Sequence, residues 1–188
     1  MFYISGSNYL IENLLPIFDV YSLNTTKFLD YLVFKEVLTL YKQKKHLTLE
    51  GLAYIKNLLT TINQSRTDFK MPAYHKINIT SYWFLGFLEA EGSFAMQKSS
   101  AKFIVCCTEV QKPVLDAIKI FLDRLELNQE YPNLYISRCS IYYRKERSLK
   151  DKPQYALTIS DFYYIHHFFI PFLDNLNFLS KKKLDFKD

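Results

Sequence analysis

The stretch Trp83-Phe84-Leu85-Gly86-Phe87-Leu88-Glu89-Ala90-Glu91-Gly92, continued by Ser93-Phe94, decides how this chain folds. Its apolar residues fit a helix, Ser81 stands where an N-cap belongs, and Gly92 marks the stop. Gly86 and Ala90 are four apart and share one helical face, so a second backbone can approach there. Glycine inside a helix costs about 1 kcal/mol relative to alanine, a cost that close packing would explain. Glu89 and Glu91 fall in the last turn, where the helix dipole is negative and disfavours acids. A divalent cation at the helix end would reverse that interaction. The competing reading is an exposed helix end with two solvated carboxylates.

Downstream of this helix the pattern predicts strands over 93–98, 102–108, 134–146 and 154–159. Between the second and third lies an amphipathic helix, about 111–125, with Val114, Leu115, Ile118, Phe121, Leu122 and Leu125 on one face. A further helix is predicted over 161–175. The resulting order, helix–strand–strand–helix–strand–strand–helix, defines an α+β unit with an antiparallel sheet.

Upstream the texture is helical. Residues 8–20 carry Leu10, Leu14, Leu15 and Ile17 at helical spacing. Thr25 or Thr26 is placed to cap a second helix with a stripe of Phe28, Leu29, Leu32, Val33, Val37 and Leu40. Thr48 opens a third, carrying Leu52, Ile55, Leu58, Leu59 and Ile62. Residues 64–79 are polar, contain Pro72 and read as a linker. The expected organisation is therefore 1–63 helical, 64–79 linker and 80–188 an α+β unit.

The chain also matches itself at a shift of 155 positions. Ile4 and Ser5 fall on Ile159 and Ser160, Tyr9 on Tyr164, Pro16 on Pro171 and Asp19 on Asp174. Without a gap, Lys27, Leu29 and Asp30 then fall on Lys182, Leu184 and Asp185. The chain thus reads as beginning partway through one repeat and stopping partway through the next.

Composition narrows the function classes. The 188 residues carry a formal net charge of +5, with 49% apolar and 17% aromatic residues, which excludes global disorder. The three cysteines, Cys106, Cys107 and Cys139, have neither the count nor the spacing of a disulfide framework or a zinc site. No apolar run approaches the roughly 20 residues of a membrane-spanning helix, so no membrane partner is expected. Phe (16) and Tyr (15) far outnumber Gly (4) and Pro (6), a bias of AT-rich genes that is common in organelles. The first twenty residues hold Glu12 and Asp19 and no Lys or Arg, unlike an import presequence. His166 and His167 are adjacent on a helix, so they are expected to point apart and to be structural.

Phe84 through Gly92 resembles the nine-residue signature of the LAGLIDADG homing endonucleases: the glycine, the alanine, the acidic pair and the final glycine are all in place. His46-Leu47-Thr48-Leu49-Glu50-Gly51-Leu52 is similar to the closing helix of a repeat in that family. Pro16-Ile17-Phe18-Asp19 and Pro171-Phe172-Leu173-Asp174 look like its repeat-internal helix. The resemblance implies an antiparallel β saddle backed by helices and lying over the DNA major groove. In this chain the saddle is preceded by a helical segment from a partial first repeat, and the second repeat is cut short at its C-terminal end. Two signature helices would pack at a pseudo-twofold axis, through Gly86 and Ala90 here.

The last acid of the signature would bind Mg²⁺ at the scissile phosphate, a catalytic and metal-binding role that falls to Glu91, while Glu89 becomes a helix-end or interface residue. On the saddle, the parity of Ser93 selects Ser93, Ala95, Gln97 and Ser99, and on the third strand Arg138, Ser140, Tyr142 and Arg144. Lys98 and Lys102 near the turn would meet phosphates. A solvated sheet face is the plain alternative for this row.

Only one signature is present, and one acid does not make a two-acid centre. The resemblance therefore implies a homodimer, or a separately encoded complementary chain, acting as a site-specific DNA endonuclease of a mitochondrial intron. The alternative is a cleavage-inactive protein that binds structured RNA, as a splicing maturase or as a structural subunit of a ribonucleoprotein such as a mitochondrial ribosome.

Overall fold

Backbone polar groups at helix ends need partners, and the capping residues set where each element begins. The computed structural model describes residues 4–97, 100–125, 138–145 and 153–187. Its contacts divide into two units, Met1–Ile77 and Asn78–Asp188, each described by itself.

In the first unit, α1 (Ser7–Tyr9) passes through a π-helical turn, Leu10–Leu14, into α2 (Leu15–Val20). Pro16 lies in the first turn of α2, where its missing N–H is tolerated. Helix α3 (Lys27–Lys42) follows, with Thr25 Oγ1 accepting from the Lys27 N–H at 3.3 Å. Its buried residues are Phe28, Leu29, Tyr31 and Leu38; Tyr31 and Leu38 replace part of the stripe expected from spacing. Leu15, Phe28, Tyr31 and Leu38 form the core of this unit. The Tyr31 hydroxyl donates to Asp19 Oδ1 at 2.6 Å, and Lys35 Nζ lies 2.7 Å from both Asp19 oxygens. Lys35 and Tyr31 together hold the Asp19 carboxyl below its ordinary 3.8.

Helix α4 (Leu49–Leu59) is capped by Thr48, whose side chain accepts from the Gly51 N–H at 3.1 Å. A side chain at Gly51 would collide with the Lys45 carbonyl oxygen, so only glycine fits there. Of the polar stretch expected to be a linker, residues 64–77 fall in this unit and 78–79 in the second. Arg66 Nε bonds Asp30 Oδ1 at 3.0 Å, and His75 Nε2 lies 2.8 Å from the Leu23 carbonyl.

The second unit begins with α5 (Ser81–Glu91). Its cap is Thr80, accepting from the Trp83 N–H at 3.2 Å, one residue before the serine expected to do so. Gly92 is not a left-handed cap: it is extended, with φ −74°. Glycine is needed because a Cβ there would stand 2.6 Å from the Leu88 carbonyl oxygen and 2.9 Å from the Phe103 ring. The helix therefore runs into β1 (Gly92–Gln97) with no intervening loop.

Next come β2 (Ser100–Thr108), α6 (Lys112–Asp123), β3 (Cys139–Arg144) and β4 (Gln154–Ile159). The four strands form an antiparallel sheet in the order β1-β2-β4-β3. Directly opposed residues share a face, and the register separates two sets. Phe103, Val105, Cys139, Leu157 and Ile159 are buried on the face that the helices back. Val114, Leu115, Ile118 and Leu122 of α6 supply the opposing apolar stripe.

Finally α7 (Phe162–Tyr164) enters a π-helical turn, Ile165–Phe169, and continues as α8 (Ile170–Asp174). The Tyr164 hydroxyl donates to the Leu122 carbonyl at 2.6 Å and ties this helix to α6. Phe84 is fully buried, with the Phe103, Phe121, Phe169 and Phe172 rings 5.8–6.4 Å away. The closing α9 (Lys182–Lys187), absent from the expected elements, carries a Lys182–Asp185 pair at 3.7 Å. Its first residue lies 155 positions after Lys27, which opens α3 and pairs with Asp30.

Candidate acidic site and nucleic-acid interface

Glu91 is the last residue of α5 and is exposed; its carboxylate has no partner among the described residues. Glu89 has a different fate. Its Oε1 accepts from the Leu179 N–H at 2.9 Å and the Ser180 N–H at 2.6 Å, bracing the approach to α9. Burial pushes the Glu89 carboxyl up, but the bonds from Ser180 and Leu179 outweigh it and hold its pKa below the ordinary 4.5. Gly86 and Ala90 lie on the exposed side of α5, and a Cβ added at Gly86 would meet nothing within 4 Å. Space for an approaching backbone is present on that face.

Because β1 starts immediately after Glu91, the register fixes which side chains share the outer face of the sheet. Ser93 opposes Ile104, Ala95 opposes Lys102, and Gln97 opposes Ser100. Beyond β2, Ile104 opposes Thr158 and Cys106 opposes Ala156. On β3, Ser140 opposes Thr158, Tyr142 opposes Ala156 and Arg144 opposes Gln154. The expected residues Ser93, Lys102, Ser140, Tyr142 and Arg144 thus occupy one face, opposite the helices, and the Gln97 backbone falls in register with them. Lys98 and Ser99 lie outside the described residues.

Arg138 is placed differently. It precedes β3, and its Nη1 lies 3.3 Å from Asp161 Oδ2. The other oxygen of Asp161 caps α7, accepting from the Tyr164 N–H at 2.7 Å. Arg138 is therefore charge-compensated by a helix cap.

Cys106, Gln154 and Thr158 also belong to the outer face and were missed. The same alternation applied to the second and fourth strands would have found them. Arg144 Nη1 donates to Cys106 Sγ at 3.0 Å. Its neighbour Cys107 has the opposite parity; burial first, then the nearby Cys106, Glu91 and Asp116, push that thiol up to about 12. His166 and His167 do not point apart as expected: both lie in the π-helical turn, and their ring centroids are 4.7 Å apart, edge to face. Neither joins a group of three ligating side chains; no such group occurs among the described residues.

An antiparallel sheet with a polar, partly basic outer face is thus entered directly from a helix that ends in an acid. The sequence description of the LAGLIDADG endonuclease family matches residues 84–188, and the chain belongs to that family. It is 26% identical over 181 residues to a probable intron-encoded endonuclease 3 of Neurospora crassa, covering 89% of this chain and 32% of that protein. It is 30% identical over 208 residues to the uncharacterized mitochondrial protein RF1 of Saccharomyces cerevisiae, covering 97% of this chain and 39% of that one. The chain thus spans about a third of the length of these relatives.

Among solved structures it is similar to I-SmaMI bound to an uncleaved DNA target in the presence of calcium ions. The TM-score is 0.75 at 25% identity, covering 98% of this chain and 64% of that one. No helix among the described residues is long and apolar enough to cross a membrane.

Proposed function

We propose that this chain binds duplex DNA through the outer face of its sheet and contributes one acid, Glu91, to a site-specific endonuclease encoded by a fungal mitochondrial intron. The observation that carries the reading is the shared face of Ser93, Lys102, Ser140, Tyr142 and Arg144, with Glu91 at the helix position that enters β1. The names of the similar proteins, intron-encoded or mitochondrial, support the localisation.

Phosphodiester hydrolysis here calls for a divalent ion, and the donor chemistry fits one. Glu91 supplies an exposed carboxylate with no partner among the described residues, a hard oxygen ligand of the kind Mg²⁺ takes. When bound, the ion polarises the phosphate and lowers the pKa of a water. Glu91 would hold the ion at one strand of the duplex. Lys102, and Lys98 near the turn, would anchor the backbone, while Arg144, Ser140 and Gln97 would meet base edges. A second acid, on a signature helix lying against Gly86 and Ala90, would complete the site.

The test is nicking of supercoiled DNA. Glu91→Gln should reduce Mg²⁺-dependent nicking by about 10²-fold or more while leaving duplex affinity within a few-fold. An unchanged nicking rate removes Glu91 from the reaction.

A second reading rests on two observations. Glu91 has no partner among the described residues, and Tyr142, 43% exposed, offers a stacking surface of the kind unpaired bases use. The chain would then bind structured RNA without cleaving it. Structured RNA outcompeting duplex DNA, with no effect of Mg²⁺, would select this reading.

A further inference from the structure

We propose that Cys106 is a positioning residue whose thiol holds the Arg144 guanidinium across β4, and that Arg144, so held, is the guanine-reading side chain of the outer face. The inference rests on the duplex-binding reading and deepens it by naming which base one side chain selects and what orients that side chain.

The geometry begins with strand order. Arg144 is on β3 and Cys106 on β2, and β4 lies between them. Two inter-strand spacings separate β2 from β3, about 10 Å. The Arg144 side chain nevertheless places Nη1 3.0 Å from Cys106 Sγ, so it lies along the sheet surface instead of projecting away from it. The β4 residue opposite both Cys106 and Tyr142 is Ala156. Ala156 is fully buried although it belongs to the outer face, as a side chain lying over it requires. A larger residue at 156 would close the path.

The choice of acceptor matters as much as the path. A thiol sulfur is a weak, uncharged acceptor, so it orients the guanidinium without neutralising it. Arg138, ion-paired with Asp161, shows the opposite use of the same side chain. With one N–H group committed to sulfur, the guanidinium keeps enough donors for the paired contact to guanine O6 and N7, the commonest specific arginine contact. Fixing the long side chain beforehand also removes part of the ordering cost of binding.

The experiment uses the full chain and a duplex library randomised over the binding footprint, with bound sequences counted. The parent should show a guanine preference at one position that Arg144→Ala abolishes. Cys106→Ala should reduce the preference at that same position about tenfold, the scale of one bidentate base contact. Its salt dependence should stay unchanged, because no charge is lost. Cys106→Ser, which restores an acceptor, should recover most of the preference, and Ala156→Leu should reproduce Cys106→Ala.

A Cys106→Ala chain that reads guanine within twofold of the parent overturns the inference while leaving duplex binding intact. A parent that binds no duplex overturns the reading beneath it. Nitrogen-15 spectra of the Arg144 guanidinium test the thiol contact without DNA. Hindered rotation that Cys106→Ala releases supports it, and free rotation in the parent overturns it.

Discussion

The two segments related by the 155-position shift share a backbone and differ in what surrounds them. Each has three helical residues, a five-residue π-helical turn and a proline-bearing α-helical end. Yet Tyr164 is 0% exposed, its hydroxyl on the Leu122 carbonyl, whereas its counterpart Tyr9 is 54% exposed. Local sequence sets the shape of this helix, including the placement of its wide turn. Burial comes from the sheet and from α6, which the second unit supplies around Ile165, Phe169 and Leu173. The tyrosine position is thus core in one copy and surface in the other, while Leu15 of the first copy is buried in the core of its own unit.

Substitutions that separate shape from surroundings sharpen this contrast. Trp83 is the one tryptophan of the chain and lies in α5, so its fluorescence follows unfolding of the second unit. By that signal, Phe169→Ala should cost about 3–5 kcal/mol, as truncation of a buried aromatic does. Tyr9→Ala at the exposed copy, followed by circular dichroism because Tyr9 lies in the first unit, should leave the transition within about 0.5 kcal/mol. Equal effects would break the comparison. Tyr164→Phe removes the hydroxyl that bonds the Leu122 carbonyl and should cost about 1 kcal/mol in urea unfolding, against no measurable change for Tyr9→Phe. Thr80→Ala should cost about 1 kcal/mol through loss of the α5 cap, while Ser81→Ala should cost little.

The smallest effect concerns Asp19, whose pair with Lys35 and Tyr31 belongs to the first unit alone. Its folded pKa is depressed, so the stability it adds is present above the ordinary 3.8 and lost as pH falls through the folded value. The pair is well exposed, so the gain is small, about 0.2–1 kcal/mol. A carbon-13 titration should place the Asp19 midpoint below 3.8, and Lys35→Met should move it upward.

Periodicity made much of this architecture legible. The apolar spacing located α3, α4, α5 and α6, and the alternation located all four strands, because each buries one face against a partner. The signature stretch led to Glu91 and, through strand parity, to Ser93, Ser140, Tyr142 and Arg144, while Lys102 was expected as a basic residue near the turn. What escaped has physical causes. A π-helical turn shifts the apolar pattern by one position, which three-to-four spacing does not register. Thr80 and Ser81 are adjacent hydroxyls with equal capping chemistry. The Arg138–Asp161 pair joins residues 23 apart, and the Arg144–Cys106 contact joins residues 38 apart. Only the strand order brings those partners together.

The junction at Gly92 carries a consequence for how such a protein can change. With no spacer between helix and strand and no room for a side chain, the acid and the alternation behind it are geared together. One residue inserted there would reverse every following side chain of β1, sending Ser93 inward and Phe94 toward solvent. Change on the outer face must therefore proceed by exchanging residues in place, never by lengthening the joint from which the strand unrolls.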